Sequence, residues 1–114
     1  MYGFQAPTTN ATPTLTKLGE AVDFWGFAAT NTASGAGFYL KLWWQSKAAS
    51  SIPVIGTTPP NFTAGVTNSA GTTLSLGRPM NPGGPCWYSV TLNSAQTDDT
   101  ALGAGGDIIT LFLE

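Results

Sequence analysis

Histidine is absent from the 114 residues, and cysteine occurs once, at Cys86. Without histidine the usual general base of neutral-pH catalysis is missing. With a single thiol, neither an intrachain disulfide nor a cysteine–histidine zinc cage can be assembled. Charge is equally scarce: Asp, Glu, Lys and Arg make up 9% of the chain, against about 25% in ordinary soluble domains. The only cations are Lys17, Lys41, Lys47 and Arg78, and the formal net charge is −2. No basic stripe can follow a phosphate backbone, so a nucleic-acid partner is not expected. No apolar run approaches the ~20 residues that span a bilayer, and the N-terminus lacks the basic start and apolar middle of a signal peptide. A chain made in the cytoplasm, without a membrane partner, is therefore expected. Six carboxylates remain, Glu20, Asp23, Asp98, Asp99, Asp107 and Glu114, and none stands in the paired setting that acid–base catalysis by carboxylates requires. The expectation is a protein that is not an enzyme, with no catalytic residue and no cofactor.

The polar surface must instead be made of Thr, Ser, Asn, Gln and Gly. Neutral hydroxyls and amides lose less on desolvation than ions do, so such a surface can be covered by neighbouring subunits without stranding charge. The chain length suits one domain with one hydrophobic core.

Residues 1–13 combine Pro7 and Pro13 with Thr8, Thr9, Asn10 and Thr12, a composition that neither a helix nor a central strand tolerates well. This stretch reads as an extended arm, followed by a β-domain over residues 14–114. No segment beyond the arm carries apolar residues at helical spacing for three turns, while several short runs alternate or are rich in β-branched and aromatic residues. In residues 38–45, Phe38, Leu40, Leu42 and Trp44 fall on one face, and Tyr39, Lys41, Trp43 and Gln45 on the other. The first face is expected in the core. Residues 21–31 form another strand, and the turn residues of 31–37 predict a hairpin between the two. Shorter strands are expected at 14–19, 62–67 and 72–76. Residues 77–85 hold three prolines and three glycines and read as a loop. Residues 86–92 alternate again and point Trp87 outward, and the dense apolar run of 107–113 suits a central strand covered on both faces. About seven or eight strands separated by turn signals predict an antiparallel β-sandwich, jelly-roll or immunoglobulin-like.

Two groups of residues invite a functional reading. Trp43 and Trp87, on outward strand faces, can stack on sugars or anchor a protein interface, as can Tyr39 and the arm's Tyr2 and Phe4; the equal alternative for the two tryptophans is that both faces of their strands are buried in a large sandwich core. Asp98, Asp99 and Asp107, set among glycines, could converge on a hard cation, but their context is that of Asx-turns before the last strand, so no metal site is expected. Cys86 lies in a strand-like run and reads as a buried thiol. Asn10-Ala11-Thr12 and Asn61-Phe62-Thr63 match the glycosylation acceptor pattern by chance in a chain with no secretory signal.

Thr30-Asn31, the run Phe38-Tyr39-Leu40-Lys41-Leu42-Trp43, Lys47, and Thr97-Asp98-Asp99-Thr100-Ala101 before Asp107 resemble a group of small bacteriophage and prophage proteins. That group carries a "TN…RYLKLY" strand, a "K…DTP" segment and a late "ADTDTTA…D" segment. The resemblance covers roughly residues 20–114. Phe38 stands where the group has Arg, and Trp43-Trp44 where it has Tyr-Asn. The resemblance implies a virion structural component: a capsid decoration or cement protein, expected to bind the major capsid protein or other virion proteins and to form a homo-oligomer, a trimer by preference. The rival expectation is a tail-fibre or baseplate module that recognises a host surface glycan through exposed aromatic residues.

Overall fold

In the computed structural model, residues 2–33, 36–45, 51–68 and 70–114 are described. Lys47, one of the residues that carry the family resemblance, lies outside them. Eight strands follow one another: β1 (Tyr2–Pro7), β2 (Thr16–Gly19), β3 (Phe24–Ala29), β4 (Phe38–Trp44), β5 (Phe62–Val66), β6 (Thr72–Met80), β7 (Cys86–Thr91) and β8 (Ile108–Leu113).

All pairings are antiparallel. β1 pairs with β8, β2 with β7, β3 with β6 and β4 with β5, and the two further ladders β3–β8 and β4–β7 close the sheets. Sheet I has the order β1-β8-β3-β6 and sheet II the order β2-β7-β4-β5. First-with-last pairing of this kind is an eight-stranded ribbon folded in half and wrapped around a common core, which is the jelly-roll topology. The expected β-sandwich is therefore present, and of the two topologies the strand order is that of the jelly roll.

The core draws on both sheets. Phe24, Phe27, Ile109, Leu111 and Leu113 come from sheet I, and Phe38, Leu40, Leu42, Trp44 and Cys86 from sheet II. Phe24 and Phe27 are both fully buried, although a spacing of three places residues of a regular strand on opposite faces. A β-bulge at Trp25 resolves the conflict: Phe24 opposes Leu113 while Gly26 opposes Phe112, so β3 carries one extra residue. Both phenylalanines then meet Phe62 of sheet II edge-on, with ring centroids 5.0 and 6.5 Å apart. Each such buried ring contributes about 1.5–3 kcal/mol. Gly26 makes the bulge possible, with φ at 136° and no room for a Cβ, which would stand 2.1 Å from the Leu74 carbonyl oxygen.

Four expectations are corrected. Residues 2–7 are not a free arm: every one of them has a register partner in β8. Pro7 is tolerated because it ends an edge strand, where a missing N–H costs no ladder bond. The predicted hairpin between β3 and β4 does not form; the chain crosses from sheet I to sheet II between them. The prolines and glycines after Leu76 do not end β6, which runs to Met80; it is an edge strand whose register against β3 shifts between Ser75 and Met80, so Pro79 is accommodated as an edge proline is. Finally, β8 is central but covered on one face only. Ile109, Leu111 and Leu113 are buried, while Ile108 is exposed and Thr110 and Phe112 are half-buried.

Candidate functional site

β4 holds the strongest candidates, and both of its faces are buried. Phe38, Leu40, Leu42 and Trp44 enter the core as expected. On the opposite face Trp43 is 1% exposed, not at the surface, and its Nε1–H donates to the Thr58 carbonyl at 2.9 Å. The covering segment is residues 51–61. It is tied down by the Trp44 N–H donating to Asn61 Oδ1 at 2.8 Å, and braced internally by the Val54 N–H donating to Thr58 Oγ1 at 2.9 Å. Asn61, which matched a glycosylation acceptor, thus holds a strand end. Covering the second face of β4 removes Trp43 as an exposed stacking platform.

Lys41, on the same face, is also 1% exposed and donates through Nζ to the Ala95 carbonyl at 2.7 Å. Burial pushes its pKa down, and the charge of Asp98 works in the other direction. The segment it holds, residues 93–100, is organised by Asp98. One carboxylate oxygen accepts from the Thr100 hydroxyl at 2.6 Å and from Asn93 Nδ2 at 3.1 Å, and the other accepts from the Asn93 N–H at 3.0 Å. Burial acts to raise the Asp98 pKa, but the hydrogen bonds from Thr100 and Asn93 outweigh it and hold the carboxyl down at about 2.

Asp107 is buried in a separate network, accepting at Oδ1 from the Thr32 N–H at 2.8 Å, the Ala33 N–H at 3.2 Å and the Thr30 hydroxyl at 3.3 Å. Asp98 and Asp107 each cap a turn. Among the described residues no group of three or more His, Cys, Asp or Glu side chains is placed to hold a metal ion. Cys86 is fully buried, and desolvation raises its pKa to about 12, so its thiol stays protonated and unreactive at neutral pH.

Trp87 stands opposite Trp43 on β7, and Tyr39 pairs with Thr91 on the same ladder. Trp87 is half-buried, with Lys17 Nζ 5.8 Å from its ring centroid. Its Nε1 and the Ser89 Oγ are buried with no hydrogen-bond partner among the described residues. Tyr39 is half-buried, its ring over Gly65 on β5. Phe4 is half-buried and turned into the core, meeting Tyr88 edge-on at 5.8 Å. Tyr2 remains 53% exposed at the open end of β1. The five candidates therefore do not form one site: three lie along sheet II, and Tyr2 and Phe4 belong to sheet I.

Sequence reasoning missed the most prominent exposed apolar groups. Ile52 is 55% and Val54 54% exposed, on the segment that covers Trp43. A signal existed in the apolar run Ile52-Pro53-Val54-Ile55, placed where a turn would ordinarily carry polar residues. No protein-family model, curated protein or solved structure matches the chain.

Proposed function

We propose that this protein is a structural component of a bacteriophage virion, a decoration protein that attaches to the outer shell and bridges neighbouring subunits. The observation that carries the reading is the braced 51–61 segment, which presents Ile52 and Val54 more than half exposed on a nearly uncharged molecule. Apolar side chains held by a hydrogen-bonded loop lose little entropy when they dock. The resemblance of residues 20–114 to small phage proteins supports the same reading, and the jelly roll, frequent in viral shells, adds support by fold analogy alone. The glycan-binding alternative is weaker, because it relied on exposed aromatic faces and the Trp43 ring is covered.

The test is binding of the purified protein to shells that lack it. Saturation in step with the number of shell subunits is expected, and Ile52→Asp together with Val54→Asp should abolish it while the thermal melt stays cooperative. Binding confined to a few copies at the tail, or attachment undisturbed by the two changes, would remove the reading.

A further inference from the structure

β7 has a gap in its hydrogen bonding on the side away from β4. The Gln45 N–H donates to the Pro85 carbonyl at 2.7 Å, so Trp87, Ser89 and Thr91 turn their peptide groups toward β4, and the alternate residues Tyr88, Val90 and Leu92 turn theirs toward β2. On that side Tyr88 has Thr16 as its register partner, and the Leu92 N–H donates to the Thr100 carbonyl at 3.0 Å. Val90, between them, has no such partner among the described residues: Thr14, which would oppose it in a continued ladder, lies before the start of β2. A cavity of about 140 Å³ opens at this gap, lined by Thr8, Thr9, Thr14, Thr16, Tyr88 and Val90 among others. Its far wall is fixed in place. The Thr8 N–H donates to the Asp107 carbonyl at 2.7 Å, and the Thr8 carbonyl accepts from the Gly106 N–H at 2.9 Å. Gly105 packs so closely here that a Cβ would stand 2.5 Å from the Thr8 carbonyl oxygen. No lining residue is Asp, Glu, Lys or Arg. The charged neighbours are engaged elsewhere: Lys17 with Glu20 and the Trp87 ring, Asp107 with the Thr32 and Ala33 N–H groups, and Asp98 with Thr100 and Asn93.

We propose that this cavity binds a neutral sugar ring, two neighbouring hydroxyls of which pair with the Val90 N–H and C=O. The lining excludes other classes of ligand in turn. An ion would meet no opposite charge, and its desolvation would go uncompensated. An apolar molecule would displace water from the Val90 peptide groups and the threonine hydroxyls without replacing its hydrogen bonds. The volume is well under the ~300 Å³ at which pockets for drug-sized molecules begin, so one ring fits and several do not. A hydroxyl both donates and accepts. Two of them on adjacent carbons therefore present an acceptor to the N–H and a donor to the C=O of a single residue, as a paired strand does. The other hydroxyls of the ring meet those of Thr9 and Thr14. Because both walls are already held by the fold, little ordering accompanies binding. The chemistry is the same for a free sugar and for the end unit of a glycan chain, and the test separates the two.

Amide NMR shifts of the full chain, titrated with glucose, galactose, mannose and maltotriose, test this with no particle present, so that failure here leaves the virion reading standing. At least one of these sugars is expected to give saturable shifts confined to Tyr88, Val90 and residues 8–16, and phosphate is expected to give none there. Saturation by a monosaccharide shows that a free sugar suffices; saturation by maltotriose alone assigns the site to a chain end, and either result upholds it. Thr9→Val and, separately, Thr14→Val, both at exposed positions, should each weaken binding about threefold or more through the loss of one hydrogen bond. Thermal melts establish that each variant is folded; should one not fold, the other carries the same test. No saturable shift with any of the sugars, shifts centred elsewhere, saturation of the same residues by phosphate, or unchanged affinity in a folded variant overturns the proposal.

Discussion

Trp43 and Trp87 oppose each other directly across β4 and β7, yet Trp43 is sealed at 1% exposure while Trp87 is only half-buried. The difference arises outside the sheet. Residues 51–61 close over Trp43 and take its indole hydrogen bond at Thr58, whereas Trp87 lies next to the edge strand β2, with Lys17 by its ring.

Trp43→Ala is therefore expected to destabilise the isolated chain as much as Trp44→Ala does, by about 3–5 kcal/mol for an aromatic ring removed from a closed interior. Trp43→Phe, which retains most of the ring and leaves the Thr58 carbonyl without its donor, should cost about 1–3 kcal/mol. Denaturant melts measure both. A Trp43→Ala variant close to wild type would show that the covering segment does not hold in solution.

Removal of residues 2–7 is expected to prevent stable folding. β8 would lose one of its two ladder partners along its whole length, keeping only β3, and Tyr88 would lose the edge-on contact with Phe4. An exposed edge of Ile, Leu and Phe is also a template for aggregation. Expression of the truncated chain as a soluble, cooperatively melting monomer would contradict this.

Gly26→Ala should destabilise by at least about 1–3 kcal/mol, since it combines a strained backbone with a clash. The φ of 136° disfavours any side chain, and the added Cβ would meet the Leu74 carbonyl at 2.1 Å. The effect is measurable by thermal denaturation, with Gly77→Ala, where nothing lies within 4 Å, as the comparison.

Asp98 predicts an acid limb in the stability curve. Its folded pKa of about 2 lies below the value near 3.9 of an unfolded aspartate. The unfolded chain thus binds the proton first, and the stabilisation, fully present above about pH 4, is lost as pH falls toward 2. Asp98→Asn should remove that part of the pH dependence and loosen residues 93–100 in hydrogen exchange. An unchanged acid limb would show that the Thr100 and Asn93 hydrogen bonds do not persist in solution.

Much of the fold was legible because a strand writes its orientation into its own residues. The alternation of Phe38, Leu40, Leu42 and Trp44 identified the core face of β4, and Ile109, Leu111 and Leu113 lie in the same way along β8. The aspartates read as turn residues, and Asp98 and Asp107 hold turns. The bulge at Trp25 was not legible, because regular alternation has no place for the extra residue that turns Phe24 and Phe27 to the same side.

By itself the sequence determined that the chain is all-β, where most of its strands lie and which side of the strongest strands enters the core, since these follow from the two-residue period and from the scarcity of helix-forming patterns. Only the tertiary structure decided that Tyr2–Pro7 is a sheet strand, that β3 and β4 part into different sheets, and that Trp43 and Lys41 are covered. Those outcomes depend on residues far away in the chain. β1 finds its partner about a hundred residues later, and the second face of β4 is closed by residues 51–61 and 93–100, whose approach no local pattern encodes.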